Sequence, residues 1–461
     1  MGAIITLGIL GILILYVGLY KAKNALLPVT LLGLVVTLGF LVSDWQKEAL
    51  PLYNGMVIFD HLALTFSILC VLVTGLILLL SKEYFNRISS NVAEYYSLII
   101  FSLLGAILVN AYHNFAMLFI GIEIMSVALY ILVGIRKNDL ASNEASLKYF
   151  LMGAFSTGFL LFGIALMYGA SGTFDLAALQ TYVATGTDIS PIFYAGILLV
   201  LCGLCFKVGV APFHFWTPDV YDGAPILITA YMSTVVKIAS FIGFLRLFSE
   251  VLVPLDSFWT PVLLTVIIIT LFVGNISALM QSSFKRMMAY SSVSHAGYML
   301  FAIVAIGATS ASSILTYATA YALASIVAFT ALILVKRKTG SDLFESFNGL
   351  AKRNPWLAAV VTVAMLSLAG IPLTAGFIGK FMMFNNVMGN YHVVLLVLAA
   401  INAAIGVYYY LRVVVSMYFK TENENAGSDL PIPTNYKIVL TLAALLTIII
   451  GVYPDCLIGL L

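Results

Sequence analysis

The chain has 461 residues, of which 62% are hydrophobic and only 9% are charged. Soluble domains carry about 25% charged residues, so this composition excludes a soluble enzyme or binding domain and predicts a membrane protein. The formal net charge of +2 gives no indication of a nucleic-acid partner, and the four cysteines form no disulfide or metal-binding pattern.

Apolar runs of about 20 residues recur from end to end, and each is long enough to cross a bilayer core of roughly 30 Å as a helix. We count about 14 such spans, with no stretch that resembles a separate soluble domain. The sequence therefore predicts an all-α polytopic membrane protein. The predicted spans start near Ala3, Leu26, Met56, Tyr95, Phe115, Leu147, Ile192, Ala224, Trp259, Met287, Ile314, Trp356, Tyr391 and Lys437.

Basic residues are concentrated in alternate loops, and such residues prefer the cytoplasmic side. The remaining loops hold little beyond Lys47 and Arg246. A miscount by one span would place basic loops on both sides of the membrane. The asymmetry therefore supports an even number of spans and predicts that both termini lie outside the cytoplasm. The basic set consists of Lys21, Lys23, Lys82, Arg87, Arg136, Lys137, Lys285, Arg286, Lys336, Arg337, Lys338, Lys352, Arg353, Lys420 and Lys437.

Five ionisable residues lie within or at the start of predicted spans. Glu123 is about 11 residues from the cytoplasmic end of the fifth span, or roughly 16 Å along the helix, near the membrane midplane. Lys148 lies at the cytoplasmic start of the sixth span, and Lys207, Lys237 and Lys380 lie deep in the seventh, eighth and twelfth. A charge at the bilayer centre costs roughly 2.5–3.5 kcal/mol or more, so these residues predict a buried polar pathway.

Lysine is suited to relaying protons, because small changes in its surroundings switch it between charged and neutral forms. Glu123 can stabilise whichever ammonium group lies nearby. The same set suits a metal ion poorly, since hard cations require several oxygen ligands. Two residues remain open: Lys148 either belongs to the pathway or extends to the interface, and His295 either links the lysines or packs between helices.

Helix-breaking residues lie beside two of the lysines. Pro212 follows Lys207 in the seventh span, and Gly370 and Pro372 precede Lys380 in the twelfth. In transporters, a pair of interrupted spans marks the transport site between two repeats. The interrupted spans are five apart, so we expect spans 4–8 and 9–13 to form inverted five-helix repeats.

The repeats divide the chain into four segments. Residues 1–94 form an N-terminal three-helix segment, 95–250 the first repeat and 251–420 the second, while 421–461 form a cytoplasmic loop and a C-terminal helix. No Rossmann fingerprint, P-loop, haem motif or iron–sulfur cysteine cluster is present in any of them. The sequence therefore predicts no redox site and no cofactor in this chain.

Four segments carry a family resemblance that covers nearly the whole chain: "FKVGVAPFHFWTPDVYDGAP", "EASLKYFLMGAF", "SLAGIPLTAGFIGKF" and the stretch around Glu123. They resemble the antiporter-like proton-translocating membrane subunits of bacterial respiratory complex I, the NADH:quinone oxidoreductase. The form "TPDVYDGAP" is most similar to the N-type subunits, the counterparts of mitochondrial subunit 2. Lys380 differs from the glutamate of M-type members, and no long lateral helix of the L type follows the last span.

The resemblance implies roles for the buried residues. Glu123 and Lys207 would form the charge pair of a first half-channel, Lys237 the central relay and Lys380 the site of a second half-channel. Lys148 matches a family lysine near the cytoplasmic side. Electron transfer from NADH to quinone would drive proton movement from outside the chain.

The resemblance also implies which cofactors, partner subunits and cellular location to expect. NADH, FMN, iron–sulfur clusters and quinone are expected in other subunits of the complex. The expected partners are the antiporter-like subunit M, the small subunits K and J, and the lipid bilayer, but no nucleic acid. The expected location is the bacterial inner membrane, with both termini periplasmic. Two alternatives remain: a subunit of a multisubunit sodium/proton antiporter, and a non-conducting structural spacer.

The orientation is testable with single cysteines at Thr185 and Ser341, in a background that lacks the four native cysteines. The basic-residue asymmetry predicts that Thr185 lies outside and Ser341 inside the cytoplasm. In intact cells, an impermeant thiol reagent should label the cysteine at 185 but label that at 341 only after permeabilisation. Labelling of both from outside would contradict the inverted arrangement.

Overall fold

The computed structural model describes residues 1–20, 22–47, 49, 51–88, 92–186, 189–388, 393–421 and 431–461. Within these ranges, 13 helices are long and apolar enough to cross a membrane. The remaining predicted span corresponds to two shorter helices, Pro355–Ala369 and Ala375–Met388. The prediction of about 14 spans is therefore confirmed. Lys21, the predicted start at Tyr391 and most of the predicted cytoplasmic loop (422–430) lie outside the described residues.

The spans are numbered in chain order. They are Gly2–Leu19 (span 1), Lys23–Asp44 (2), His61–Leu79 (3), Val92–Ala111 (4), Phe115–Val133 (5), Leu140–Ser171 (6), Pro191–Val208 with Trp216–Gly223 (7), Ile226–Glu250 (8), Val253–Leu279 (9), Phe284–Val304 (10), Ser310–Thr339 (11), Pro355–Ala369 with Ala375–Met388 (12), Val393–Phe419 (13) and Thr434–Val452 (14). Shorter elements are the helices Ser81–Ile88, Leu176–Thr185, Leu350–Arg353 and Asp455–Ile458, the 3-10 turn Phe344–Phe347, and a hairpin of Pro51–Leu52 with Val57–Ile58.

Several spans begin where a polar residue directly precedes an apolar run. The carboxylate of Asp60 accepts a hydrogen bond from the Ala63 amide at 2.8 Å, at the start of span 3. The side chain of Asn114 caps span 5 in the same way. Such caps satisfy amide groups that the first helical turn leaves free. Within the bilayer, where lipid offers no hydrogen bonds, the remaining backbone groups are satisfied by the bonds inside each helix.

Spans 8, 10 and 11 form the centre of the molecule. In the most apolar 18-residue stretch of each of these spans, 100%, 94% and 100% of the residues are buried within the chain. The corresponding share in spans 1 and 2 is 28%. Span 10 has the lowest mean hydropathy of the long spans, 1.2. A span surrounded by protein instead of lipid can carry polar residues, so these central helices are where a polar pathway can run.

Spans 7 and 12 are both broken, as the breaker residues predicted. The first half of span 7 ends at Gly209, with φ of +74°, and that of span 12 ends at Gly370, with φ of +81°. At both sites the glycine amide and the next amide donate back to carbonyls of the last helical turn. This left-handed cap favours glycine because other residues are strained there. The helix thus ends before Pro212 is reached, at a glycine that sequence analysis overlooked.

The two predicted repeats pack internally in the same way. In spans 4–8 the first helix packs on the second, the second on the third and the third on the broken span, while the fifth contacts the first and the broken span. Spans 9–13 repeat every one of these pairings. This shared pattern supports our division into an N-terminal segment, two five-helix repeats and a C-terminal helix, which we retain as a proposal.

A buried arginine joins spans 3 and 8 at the end of the molecule predicted to be periplasmic. The Arg246 side chain is 0% exposed, and its two terminal nitrogens donate to both carboxylate oxygens of Asp60, at 2.7 and 2.8 Å. It also donates to Glu250 at 2.8 Å and to His113 at 3.1 Å. Burial by itself would raise the pKa of Asp60, but the hydrogen bonds and charge of Arg246 outweigh burial and lower it.

We predict that Asp60→Asn destabilises the fold by up to about 3 kcal/mol, because it removes the carboxylate that binds both terminal nitrogens of the buried arginine and leaves Glu250 alone to balance the charge. The measurement is the temperature at which the detergent-solubilised complex loses this subunit. Since the pKa of Asp60 lies below its ordinary 3.8, the pair stabilises the fold fully above that pH and is lost as pH falls through the lowered value.

Asp44→Asn is the matched control, because Asp44 pairs with Lys47 at 2.7 Å in an exposed position. Such pairs contribute about 0–1 kcal/mol. Equal effects of the two substitutions would show that the Arg246 cluster is not a structural clamp.

Candidate functional site

Three lysines lie in the interior of the helical bundle. Lys207, Lys237 and Lys380 are 9%, 4% and 7% exposed. Their ammonium nitrogens bind serine hydroxyls and backbone carbonyls, and no carboxylate of the described residues lies within 4 Å of any of them. A buried ammonium group without a fixed counter-ion is costly, which makes its protonation responsive to nearby charge.

Lys207 lies in the last turn before the break of span 7. Its Nζ donates to the Ser126 hydroxyl at 3.0 Å, and that hydroxyl donates to the Ile122 carbonyl at 2.6 Å. Glu123, one turn from Ser126, interacts with Lys207 electrostatically, but its buried Oε1 has no hydrogen-bond partner among the described atoms. The structure thus brings the predicted pair to one site, while the direct contact is made by a serine that sequence analysis did not identify.

Lys237 lies in span 8, directly after a π-helical turn at Met232–Val236. Its Nζ donates to both the carbonyl and the hydroxyl of Ser292 in span 10, each at 2.5 Å. The nitrogen also lies 5.6 Å from the ring centre of Tyr321 in span 11. π-turns often occur at functional sites, and three central spans meet at this one, but the relay role of Lys237 stays a prediction.

His295 lies between the central lysine and the second broken span, and it interacts electrostatically with both Lys237 and Lys380. Its Nδ1 is 2.7 Å from the Tyr317 hydroxyl and its Nε2 is 2.9 Å from the Tyr410 hydroxyl. A neutral imidazole donates at one nitrogen and accepts at the other, so this arrangement can pass a proton from one hydroxyl to the next. Both interpretations fit this geometry, a link between the lysines and a packing residue whose two nitrogens are satisfied, so the link stays a prediction.

Lys380 uses the break in span 12 as its binding site. Its Nζ donates to the carbonyls of Leu368 and Ala369, both at 2.9 Å, which the helix end leaves without intrahelical partners. A side chain at Gly370 would approach Lys380 to 2.7 Å, so glycine also makes the room. A cavity of about 10 Å³, near the lower limit for one water molecule, lies between this break and His295.

Lys148 belongs to a network of charges at the end predicted to be cytoplasmic. Its Nζ is 2.8 Å from both Glu144 and Asp219, the latter in the short second half of span 7. Asp219 also pairs with Arg286 at 3.3 Å, and Arg286 with Asp222 at 3.4 Å. Lys148 is therefore neither isolated nor buried. The two aspartates of "TPDVYDGAP" were the available signal for this network, and sequence analysis overlooked them.

Two broken spans each hold a buried lysine, and a third buried lysine and a histidine lie in the central spans 8 and 10. Residues 111–406 match the family described as NADH:quinone oxidoreductase/Mrp antiporter, TM. NADH-quinone oxidoreductase subunit N of Flavobacterium psychrophilum is 37% identical over 463 residues and covers 100% of both chains. The chain belongs to the family of NADH-quinone oxidoreductase subunit N, the antiporter-like membrane subunit of respiratory complex I.

Solved structures agree with this assignment. A chain of respiratory complex I from Thermus thermophilus with bound aureothin is 30% identical, with a TM-score of 0.85 over 99% of this chain and 98% of that one. A chain of the Mrp complex from Dietzia sp. DQ12-45-1b reaches a TM-score of 0.88 over 100% of this chain and 95% of that one, at 16% identity. The second likeness shows a shared fold only.

The contact between Lys207 and Ser126 is testable by a double-mutant cycle on the rate of proton pumping. If the hydroxyl positions the ammonium group, Ser126→Ala combined with Lys207→Met should lose no more activity than Lys207→Met alone. Glu123→Gln should also be non-additive with Lys207→Met, because the two groups interact through their charges.

Ser156→Ala is the matched control, since Ser156 is buried and its hydroxyl has no hydrogen-bond partner among the described atoms. Its effect should add to that of Lys207→Met. If the effects of Ser126→Ala and Glu123→Gln also add to that of Lys207→Met, neither residue acts through Lys207.

Proposed function

We propose that protons move between the two broken spans along Lys207, Lys237, His295 and Lys380. The observation that carries this proposal is the set of three interior lysines whose partners are neutral oxygens. A lysine held by a carboxylate would stay charged, whereas one held by hydroxyls and carbonyls can lose its proton when a like charge approaches. The row of groups can therefore alternate between charged and neutral states.

Each group has a distinct role in this mechanism. Glu123 lowers the free energy of an ammonium on Lys207 and so favours loading of the first half-channel. A charge on Lys237 disfavours a charge on its neighbours, because repulsion between like charges is strong where water is excluded. His295 and its two tyrosine hydroxyls carry the proton toward Lys380. The carbonyls exposed by the break in span 12 then stabilise the ammonium of Lys380.

We further propose that this movement is driven from outside the chain. NADH, FMN, the iron–sulfur clusters and quinone would reside in other subunits, and the neighbours in the membrane would be the antiporter-like subunit M and the small subunits K and J. The complex would lie in the bacterial inner membrane with both termini of this chain periplasmic. The family assignment and the alternation of basic loops support this arrangement.

Sodium/proton antiport is a second candidate, since an Mrp chain shares the fold. In the described part of the chain, one cluster of acidic and histidine side chains has the spacing to hold a cation, namely Asp60, His113 and Glu250. The guanidinium of Arg246 lies 2.8 Å from both carboxylates, so a positive charge is already present there. Proton pumping that is unchanged by removal of sodium would favour proton transfer over sodium antiport.

We predict that Lys207→Ala, Lys237→Met and Lys380→Met reduce NADH-driven proton pumping in inverted membrane vesicles by about tenfold or more, because a positioned proton donor contributes factors of that size. NADH oxidation by an artificial electron acceptor measures how much complex has assembled. Lys47→Met, at an exposed lysine, should leave pumping unchanged. Wild-type pumping by all three interior variants, at normal complex levels, would favour the structural-spacer alternative.

A further inference from the structure

A fourth buried lysine lies outside the pathway described above. Lys285, in the first turn of span 10, is 3% exposed. Its Nζ donates to the carbonyl of Asp222 at 2.5 Å and to that of Ala224 at 2.7 Å. No carboxylate in the described ranges lies within 4 Å of this nitrogen. Sequence analysis placed Lys285 in a basic loop, but the structure buries it with the same kind of neutral oxygen partners as Lys237 and Lys380.

Lys285 also lines a cavity of about 520 Å³, which has room for several water molecules. The loops around the cavity join spans 3 and 4, 5 and 6, and 11 and 12, all on the side that the basic residues predict to be cytoplasmic. Partly exposed charged residues surround the opening. These are Glu83, Arg136, Asp139, Lys336, Arg337 and Asp342.

The charges at the opening are paired, whereas Lys285 is not. Lys336 lies 3.2 Å from Asp342, Arg337 lies 3.6 Å from Glu83, and Arg136 lies 3.5 Å from Asp139. These charged pairs keep the opening of the cavity hydrated. Among the described cations that line this cavity, Lys285 is thus the one suited to releasing a proton.

Two hydroxyl groups, those of Tyr221 and Ser292, lie between the segment that binds Lys285 and the central lysine. Ser292 lies on the same face of span 10, seven residues further on, or about 10 Å at the helical rise. Tyr221, which directly precedes Asp222 in the chain, interacts with the Ser292 hydroxyl. Ser292 in turn accepts the hydrogen bonds of Lys237. The end of span 7 therefore has two contacts that matter here. The carbonyl of Asp222 binds Lys285, and the hydroxyl of Tyr221 interacts with Ser292, which binds Lys237.

We propose that Lys285 loads protons onto Lys237 from the water-accessible cavity. The ammonium of Lys285 gives one proton to the hydroxyl chain of Tyr221 and Ser292, and that chain gives one to the neutral amine of Lys237. Water in the cavity then reprotonates Lys285, so only N–H and O–H bonds change. This inference rests on the proposed function of Lys237, and it assigns uptake to a site separate from the carboxylate-paired Lys148.

The test compares Lys285→Arg and Lys285→Met in the intact complex, with NADH-driven pumping per assembled complex as the readout. Arginine keeps the charge and the donors for both carbonyls but does not release its proton at physiological pH. We expect both variants to lose pumping by about tenfold or more. A purely structural role predicts rescue by arginine, so wild-type pumping by Lys285→Arg would overturn the proposal. Lys137→Arg, at an exposed lysine outside the lining of the cavity, is the control and should pump normally.

Lys237→Met separates failure of this inference from failure of the proposed function. If Lys237→Met abolishes pumping while Lys285→Arg pumps normally, only the loading role is overturned. If Lys237→Met also pumps normally, the central relay itself is wrong.

A second arm does not depend on substitution of Lys285. Ala141 lines the cavity, and Lys137 lies exposed on the same connection outside its lining. Single cysteines at these positions, in the background without native cysteines, are treated with a bulky maleimide. Modification at 141 should block access of water and slow pumping several-fold, whereas modification at 137 should not. Full pumping after complete modification at 141 would overturn the proposal, even if the Lys285 variants fail to assemble.

Discussion

Burying ammonium groups in the middle of a membrane protein without carboxylate partners is the constraint on which the rest of the structure depends. Such a charge is costly in the bilayer interior, and each one needs oxygen atoms from the protein. Lys207 takes them from a serine, Lys237 from a serine hydroxyl and carbonyl, and Lys380 from two carbonyls at a helix end. Span 10, which provides Ser292, has the lowest mean hydropathy of the long spans, and 94% of the residues in its most apolar stretch are buried within the chain.

The break in span 12 supplies oxygen atoms to a buried lysine, whereas the break in span 7 does not. Each break ends a helix at a left-handed glycine, and each leaves carbonyls without intrahelical partners. In span 12, Lys380 takes up two of these carbonyls. In span 7, the Phe206 carbonyl accepts from both the Gly209 amide and the indole of Trp216, and Thr270 of span 9 accepts from the Ala211 amide. The same kind of helix break thus binds a lysine in the second repeat, whereas in the first repeat it is held by packing contacts of Trp216 and Thr270.

Paired and unpaired charges occupy different parts of the molecule. At the end predicted to be periplasmic, Arg246 is held by Asp60 and Glu250. At the opposite end, Lys148 is held by Glu144 and Asp219. Carboxylate partners favour the charged state of these groups, which suits a structural role for Arg246, while a part for Lys148 in the proton pathway stays a prediction. Lys207, Lys237 and Lys380, between the two ends, donate to neutral oxygens, and they are the groups to which we assign a change of protonation.

The sequence alone determined the number of spans, the positions of the interior lysines and the presence of two breaks. These features are local, since an apolar run, a lysine within it and a glycine or proline beside it can all be read from neighbouring residues. Only the tertiary structure decided what each lysine binds. Ser126 and Lys207 are 81 residues apart, Lys237 and Ser292 are 55 apart, and His295 and Tyr410 are 115 apart. Serines and tyrosines are common in membrane helices, so no local pattern marks the few that meet a lysine. Packing of spans from distant parts of the chain selects them, and the same packing moves Lys285 from a predicted loop into the buried interior.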